Sequence, residues 1–164
     1  MNFREIPAAI ETLIRGLPDL FSRADIHYNF FGGAPGIGDW RDEKNLGILI
    51  AGDGVGSKSG IYFFGSPEGQ IVYIGKATKG NLHNRVWDHC KTPDLMPDGR
   101  RIFPRHGFGH MDAPIEAEYI RDGRARLGVI TVSDSELVSL MEVFLQTLYV
   151  KRHGILPALN KQIG

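Results

Sequence analysis

The sequence predicts a mixed α/β or α+β fold rather than a helical bundle. Short apolar runs of strand length recur along the chain, and they alternate with segments of helical periodicity. Twenty-one glycines and nine prolines punctuate those segments and imply many loops and turns. A run from Gly60 to Ala77, GIYFFGSPEGQIVYIGKA, reads as a β-hairpin. At 164 residues the chain is expected to form one domain with a real hydrophobic core.

The elements follow in order. Ile10, Leu13 and Ile14 give Ala8–Arg15 the pattern of a short amphipathic helix, and Pro18–Arg23 adds a further turn or two. Ile26–Phe31 and Leu46–Ala51 are expected strands, with the breaker-rich GGAPGIG between them. The GDGVG at 52–56 lacks the G-K-[ST] ending of a phosphate loop, and no helical pattern follows it.

In the hairpin, Ser66-Pro67-Glu68-Gly69 suits a type I turn, with Pro pre-set at the second position and Gly at the fourth. Pairing Gly65 with Gln70 sets Tyr62 directly opposite Tyr73 on one face. A left-handed Gly69 forming a bulge would instead slip the register by one and separate the tyrosines. Asn81 is placed to cap a helix running to about Lys91, with Leu82, Val86 and Cys90 as its buried stripe. Arg85 and His89, four apart, share one margin of that stripe. After a long irregular region comes a third strand of the core, Leu127–Val132. Ser133 and Glu136 read as a capping box opening a long helix with Leu137, Leu140, Met141, Phe144 and Leu148 on its core face. Glu142 falls well off that face but beside a second apolar strip of Val138, Leu145 and Tyr149.

Composition excludes several classes of function. Lys+Arg and Asp+Glu are both 19, so net charge points to no polyanionic partner. Gly99–Met111 is nonetheless a local basic patch, with Arg100, Arg101, Arg105, His106 and His110, no acid, and Phe103 and Phe108 interleaved. Such a patch suits contact with phosphates and bases. His106 and His110 sit among glycines and a proline rather than on a helix, which does not suit a structural zinc site. No apolar run reaches the roughly 18 residues of a membrane span. The lone Cys90 and the charged start, MNFREIPAAIETLIRG, lead to the expectation of a cytoplasmic protein.

Taken together, Gly60-Ile61-Tyr62, Tyr73-Ile74-Gly75 ten residues after the first motif, Arg85, His89, Glu142 and the Pro157-x-x-Asn160 ending resemble the GIY-YIG nuclease family over about residues 60–164. The resemblance implies a small central antiparallel three-stranded sheet flanked by helices, and divalent-metal hydrolysis of phosphodiesters, usually in DNA. Residues 1–59 lie outside the family core as an N-terminal extension expected to pack on it, and 92–126 is a long insertion.

Phosphodiester hydrolysis needs an activated water, charge neutralisation at phosphorus and help for the leaving oxygen. Glu142 is the only carboxylate that matches the family, which favours one Mg²⁺ or Mn²⁺ per site over a two-metal clamp. Arg85 would hold the scissile phosphate bidentately. His89 would shuttle a proton or hydrogen-bond a hairpin tyrosine. Tyr62 would activate water if cationic neighbours lower a phenol pKa of about 10, with Tyr73 orienting or sharing the proton. Lys76 is the rival general base. Gly75 would let the backbone approach the substrate, Arg100, Arg101 and Arg105 would bind it, and Asn160 would tie the C-terminal tail to the site wall. Double-stranded DNA is the expected substrate. One site cuts one strand, so double-strand cleavage would require a homodimer or sequential nicking. A catalytically inactive binding module on the same fold and an RNA or structure-specific nuclease remain open alternatives.

Overall fold

The computed structural model describes residues 1–29, 55–90, 94–95, 97–98, 101–102, 108, 113–121 and 124–164. The expected strand Leu46–Ala51, the GGAPGIG segment, most of GDGVG, and Arg100, Arg105, Phe103, His106 and His110 lie outside these residues, as does the side chain of Cys90.

After a 3₁₀ turn at Phe3–Glu5, α1 spans Ile6–Gly16 and α2 Pro18–Phe21. Pro7 sits in the first turn of α1, where its missing N–H costs nothing, and Ile6, Ile10 and Leu13 are buried at helical spacing. Strand β1 is Ile26–Asn29, β2 Gly60–Gly65 and β3 Ile71–Ala77, followed by α3 at Leu82–Cys90. A two-strand ribbon, β4 at Asp94–Leu95 and β5 at Arg101–Ile102, precedes α4 at Pro114–Arg121. Strand β6 is Arg126–Val132 and α5 is Ser135–His153. No described helix is long and apolar enough to cross a membrane.

Among the described residues the main sheet is antiparallel with four strands in the order β1-β6-β2-β3, one more than the three expected. The added strand is β1, whose Ile26 pairs with Val132 and whose Asn29 pairs with Val129. Residues 1–29 are therefore built into the core: β1 extends the sheet, and α1 packs on α5. Two apolar layers result. One joins α1 and α5 to Ile61, Phe63, Ile71, Ile74 and Ile130. The other joins α3, α4 and Phe108 to Tyr62, Phe64, Val72 and Val129. Helix α4 falls in a stretch expected to be irregular, although Ala113, Ala117 and Ile120 carry helical spacing and are buried.

The hairpin register differs from the expected one by two residues. Gly69 adopts φ +89°, and Ser66 rather than Gly65 pairs with Gln70, its N–H donating to the Gln70 carbonyl at 2.8 Å. That is the first slip. A second lies between Phe64 and Gly65, where Phe64 faces Tyr73 but Gly65 faces Ile71. Val72 is the extra residue, and Val72 and Tyr73 both join the α3-side layer while Ile71 and Ile74 join the α5-side layer. One slip would have sent Tyr73 to the opposite face; two return it to the face of Tyr62. Tyr62 therefore lies opposite Gly75, and the tyrosines meet on a diagonal with ring centroids 5.8 Å apart.

Helix α5 is capped by Asp134, whose Oδ1 accepts from the Glu136 N–H at 2.9 Å, and not by Ser133. Ser133 instead exchanges two bonds with Asp25, donating its N–H to the Asp25 carbonyl and accepting the Asp25 N–H on Oγ. The buried face of α5 is Leu137, Val138, Met141, Glu142, Leu145 and Gln146, whereas Leu140, Phe144 and Leu148 are half-buried. The helix has two apolar strips because it has two neighbours, the sheet and α1. Glu142 is on the inward side as a result.

Candidate active site

Among the described strands β3 is an edge of the sheet, and a cleft of about 470 Å³ lies along it. From the α3 side the cleft receives Tyr73, Arg85, His89 and Phe108; from the α5 side it receives Lys76, Glu142 and Gln146. Alternation along a strand sends Tyr73 and Lys76 to opposite faces, and only an edge lets both reach one cavity.

Tyr62 stands behind this cleft rather than in it: its side chain is 0% exposed, and its hydroxyl lies 2.8 Å from His89 Nε2. Burial, then the neighbouring Tyr73 and the hydrogen bond with it, push the Tyr62 phenol well above its ordinary value; Arg85 opposes this and Glu142 adds to it. The Tyr73 phenol is also raised, chiefly by burial, against opposing effects of its bond with Tyr62 and of Arg85. The expectation that cationic neighbours would lower the Tyr62 pKa is corrected on this point. Lys76 pairs with Ile61 and so points to the other face of β3, leaving Arg85 too weak to offset burial.

Gly75 has a different role from the one expected. A Cβ there would lie 2.6 Å from Tyr62 Cζ, 2.6 Å from Tyr73 Cε1 and 2.7 Å from the Tyr62 hydroxyl oxygen. The space over Gly75 is filled by the two tyrosine rings, so the residue admits the rings rather than a substrate.

Lys76 Nζ lies 2.8 Å from Glu142 Oε2, with side-chain exposures of 31% and 6%. The same oxygen is buried and has no directed hydrogen bond. The contact is thus a Coulomb pair of poor hydrogen-bond direction, and the ammonium is what compensates the buried charge. Gln146 and Asn160 have their oxygens engaged elsewhere: Gln146 Oε1 accepts from the Gly164 N–H at 2.7 Å, and Asn160 Oδ1 from the Ile74 N–H at 2.9 Å. Among the described residues, no group of three or more His, Cys, Asp or Glu gathers to cage an ion. A single carboxylate, its Oε2 paired with the Lys76 ammonium but without a directed hydrogen bond, fits at most one mostly hydrated Mg²⁺ or Mn²⁺ and nothing more demanding.

The exposed edge of β3 is closed by side chains and tail. Asn160 acts as a substitute strand, accepting the Ile74 N–H and donating Nδ2 to the Ile74 carbonyl at 2.8 Å. Gln146 Nε2 donates to the same carbonyl at 3.2 Å, and the Leu159 N–H donates to Val72 at 2.9 Å. Met1 covers the start of the edge by accepting the Ile71 N–H at 3.0 Å.

Arg85 is exposed at the rim, its Nε 3.5 Å from the Lys76 carbonyl, a long contact that leaves the guanidinium turned to the cleft. Arg101 is placed as a backbone position in β5, while Arg100 and Arg105 fall outside the described residues. Five lining residues were not foreseen from sequence, Gln146, Leu159, Lys161, Gln162 and Gly164, and Phe108 was foreseen only as an aromatic of the basic patch. Gln146 follows Glu142 by four, a spacing that could have revealed it. No family model, curated protein or solved structure matches the chain. Function is therefore read from the cleft.

Proposed function

We propose that the chain is a metal-dependent endonuclease of the GIY-YIG type, hydrolysing phosphodiester bonds of double-stranded DNA. One observation carries the reading: Tyr73, Lys76, Arg85, His89 and Glu142, scattered over nearly 70 residues of sequence, line one cleft, with Tyr62 hydrogen-bonded behind it. The small sheet between helices is the scaffold such a site would use, with β1 as an addition to a three-stranded core of β2, β3 and β6.

Arg85, on the rim, would bind two phosphate oxygens and offset the charge gained in the transition state. Glu142 would hold the Mg²⁺ or Mn²⁺ through water, and that ion supplies Lewis-acid stabilisation of the phosphate. A phenol with a raised pKa is a poor phenolate base but a good relay. A water in the cleft passes a proton to the Tyr73 hydroxyl, Tyr73 passes one to Tyr62, and Tyr62 passes one to His89 Nε2. Each tyrosine gains and loses one proton and stays neutral, and His89 Nε2 takes the last one. Lys76 balances Glu142 from the other face of β3 and orients the carboxylate.

A second reading, a binding module without catalysis, is favoured by one feature: the Lys76 ammonium already sits on Glu142, the only side-chain carboxylate among the described residues that line the cleft. The deciding experiment is cleavage of supercoiled plasmid and of duplex, single-stranded, branched and RNA oligonucleotides with Mg²⁺ or Mn²⁺. Metal-dependent cutting of duplex DNA, lost in Glu142→Ala and Arg85→Ala and reduced at least about 100-fold in Tyr62→Phe, is expected. Nicked product would indicate a monomer acting strand by strand, linear product a homodimer. DNA binding without cutting would establish the binding module. Cutting confined to RNA or branched DNA would move the substrate and leave the chemistry.

A further inference from the structure

We propose that Phe108, contributed by the insertion at 92–126, is a positioning residue for His89; this deepens the nuclease reading and rests on it. The Phe108 ring is 3% exposed and lies parallel to the His89 imidazole, with centroids 4.6 Å apart and an interplanar angle of 4°. The other described aromatic neighbours meet that imidazole at steep or intermediate angles: Tyr73 at 4.9 Å and 62°, Tyr62 at 5.8 Å and 43°, Phe64 at 6.1 Å and 85°. Phe108 also packs against Tyr73 at 4.9 Å and against Phe64 at 6.1 Å.

The geometry divides the work between two neighbours. A flat ring stacked at 4° fixes the plane of the imidazole, because tilting would drive one edge into the phenyl face. Stacking cannot distinguish the two flips of the imidazole about its bond to the chain. The Tyr62 hydroxyl makes that choice by placing Nε2 at 2.8 Å. With both constraints, the nitrogen that receives the relayed proton is fixed in position and direction. An aliphatic side chain of similar size would fill the space without setting the plane. The insertion is thereby tied to the chemistry through one ring, and it need not touch DNA to influence the rate.

The test uses the full chain, ¹⁵N-labelled, as wild type, Phe108→Leu and Phe108→Trp, with His89→Gln to assign the resonance. Imidazole ¹⁵N and ¹H spectra are recorded above the ordinary histidine pKa of about 6.5, beside cleavage kinetics and thermal melts. In wild type, His89 is expected to show one tautomer and ring-current-shifted protons. Phe108→Leu should remove the shift, draw the two nitrogen resonances together, and lower kcat roughly 10- to 100-fold with KM unchanged. Phe108→Trp should restore both. His89 resonances unmoved in Phe108→Leu would overturn the proposal. So would resonances that move while kcat stays within about twofold, or a folded Phe108→Trp that restores neither. If wild type cuts nothing, the nuclease reading falls, and the resonance arm still decides whether Phe108 orients His89. If Phe108→Leu does not fold, the Phe108→Trp comparison decides alone.

Discussion

Replacing Gly75 by alanine is the sharpest probe of the hairpin. The new methyl would stand 2.6 Å from two ring carbons, Tyr62 Cζ and Tyr73 Cε1, and 2.7 Å from the Tyr62 hydroxyl. Carbon atoms pack well at about 3.5–4.0 Å, so the rings must retreat by roughly 1 Å. Tyr62 has no room for this, since it is fully buried, bonded to His89, and flanked by Phe64 in an edge-on contact at 6.1 Å. Overpacking costs about 1–3 kcal/mol, and the rigidity of Tyr62 places this case near 3. For a chain of this size, that is a fall of about 6–12 °C in melting temperature. Gly154→Ala is the control: its φ is +77° but nothing lies within 4 Å, so only about 1 kcal/mol of backbone strain is expected. Urea unfolding of both variants, alone and with Tyr62→Leu, separates the causes. Truncating Tyr62 removes two of the three close atoms, so Gly75→Ala should cost at least about 1 kcal/mol less in that background. A Gly75→Ala cost below about 0.5 kcal/mol, or one unchanged by Tyr62→Leu, would refute the packing argument.

Three further outcomes follow from the same geometry. Tyr62 and Tyr73 have folded pKa values above the unfolded phenol value of about 10; their contribution is fully present below that pH and is lost as pH rises through the folded values. The urea midpoint should therefore fall above about pH 10, and Tyr62→Phe should flatten that fall; an unchanged slope would refute the assignment. Lys76→Met leaves the Glu142 carboxylate buried without its cation and should cost about 1–3 kcal/mol, discounted for the partial exposure of Lys76. Added Mg²⁺ should raise the melting temperature of Lys76→Met more than that of wild type, and equal shifts would exclude a cation at Glu142. Asn160→Ala removes both bonds to Ile74 and should cost about 1–3 kcal/mol, with faster hydrogen exchange at the Ile74 amide as the local readout.

Much of this was legible in the sequence, and what was not has identifiable causes. The hairpin, α1, α3 and α5 follow from periodicity, and Arg85 and His89 fall together because they are one helical turn apart. The register was not legible. Gly69 signals its own left-handed turn, but nothing in Ile71-Val72-Tyr73-Ile74 marks the second slip, because a continuous apolar run hides which residue is extra. That slip puts Tyr62 over Gly75 rather than beside Tyr73, and sets Lys76 on the opposite face. The core face of α5 was misassigned for a related reason: Val138 and Leu145, the strip beside Glu142, are buried, whereas Leu140, Phe144 and Leu148 are half-buried. A helix with two apolar strips can be rotated either way until its second neighbour, α1, is known. Phe108 was legible only as an aromatic in a basic patch, because its parallel ring contact is with a residue 19 positions away that no local pattern points to.

The use of an edge strand explains why these features belong together. Residues on opposite faces of a strand cannot share a cavity inside a sheet, whereas Tyr73 and Lys76 meet one cleft around the rim of β3. An open edge would invite pairing with another chain, and here Met1, Leu159 and Asn160 meet its backbone groups while leaving side chains accessible. The bulge at Val72 then has a specific consequence. It re-aims every residue after it, turning Tyr73 to the side of His89 and Lys76, three residues on, to the side of Glu142, so the tyrosines and the imidazole lie on one side of the cleft and the carboxylate on the other. A phosphate drawn in by Arg85 would sit between them. Burial is what raises both phenols, and Lys76 on the far face of β3 does not offset it, so in the proposed relay they would pass protons rather than ionise.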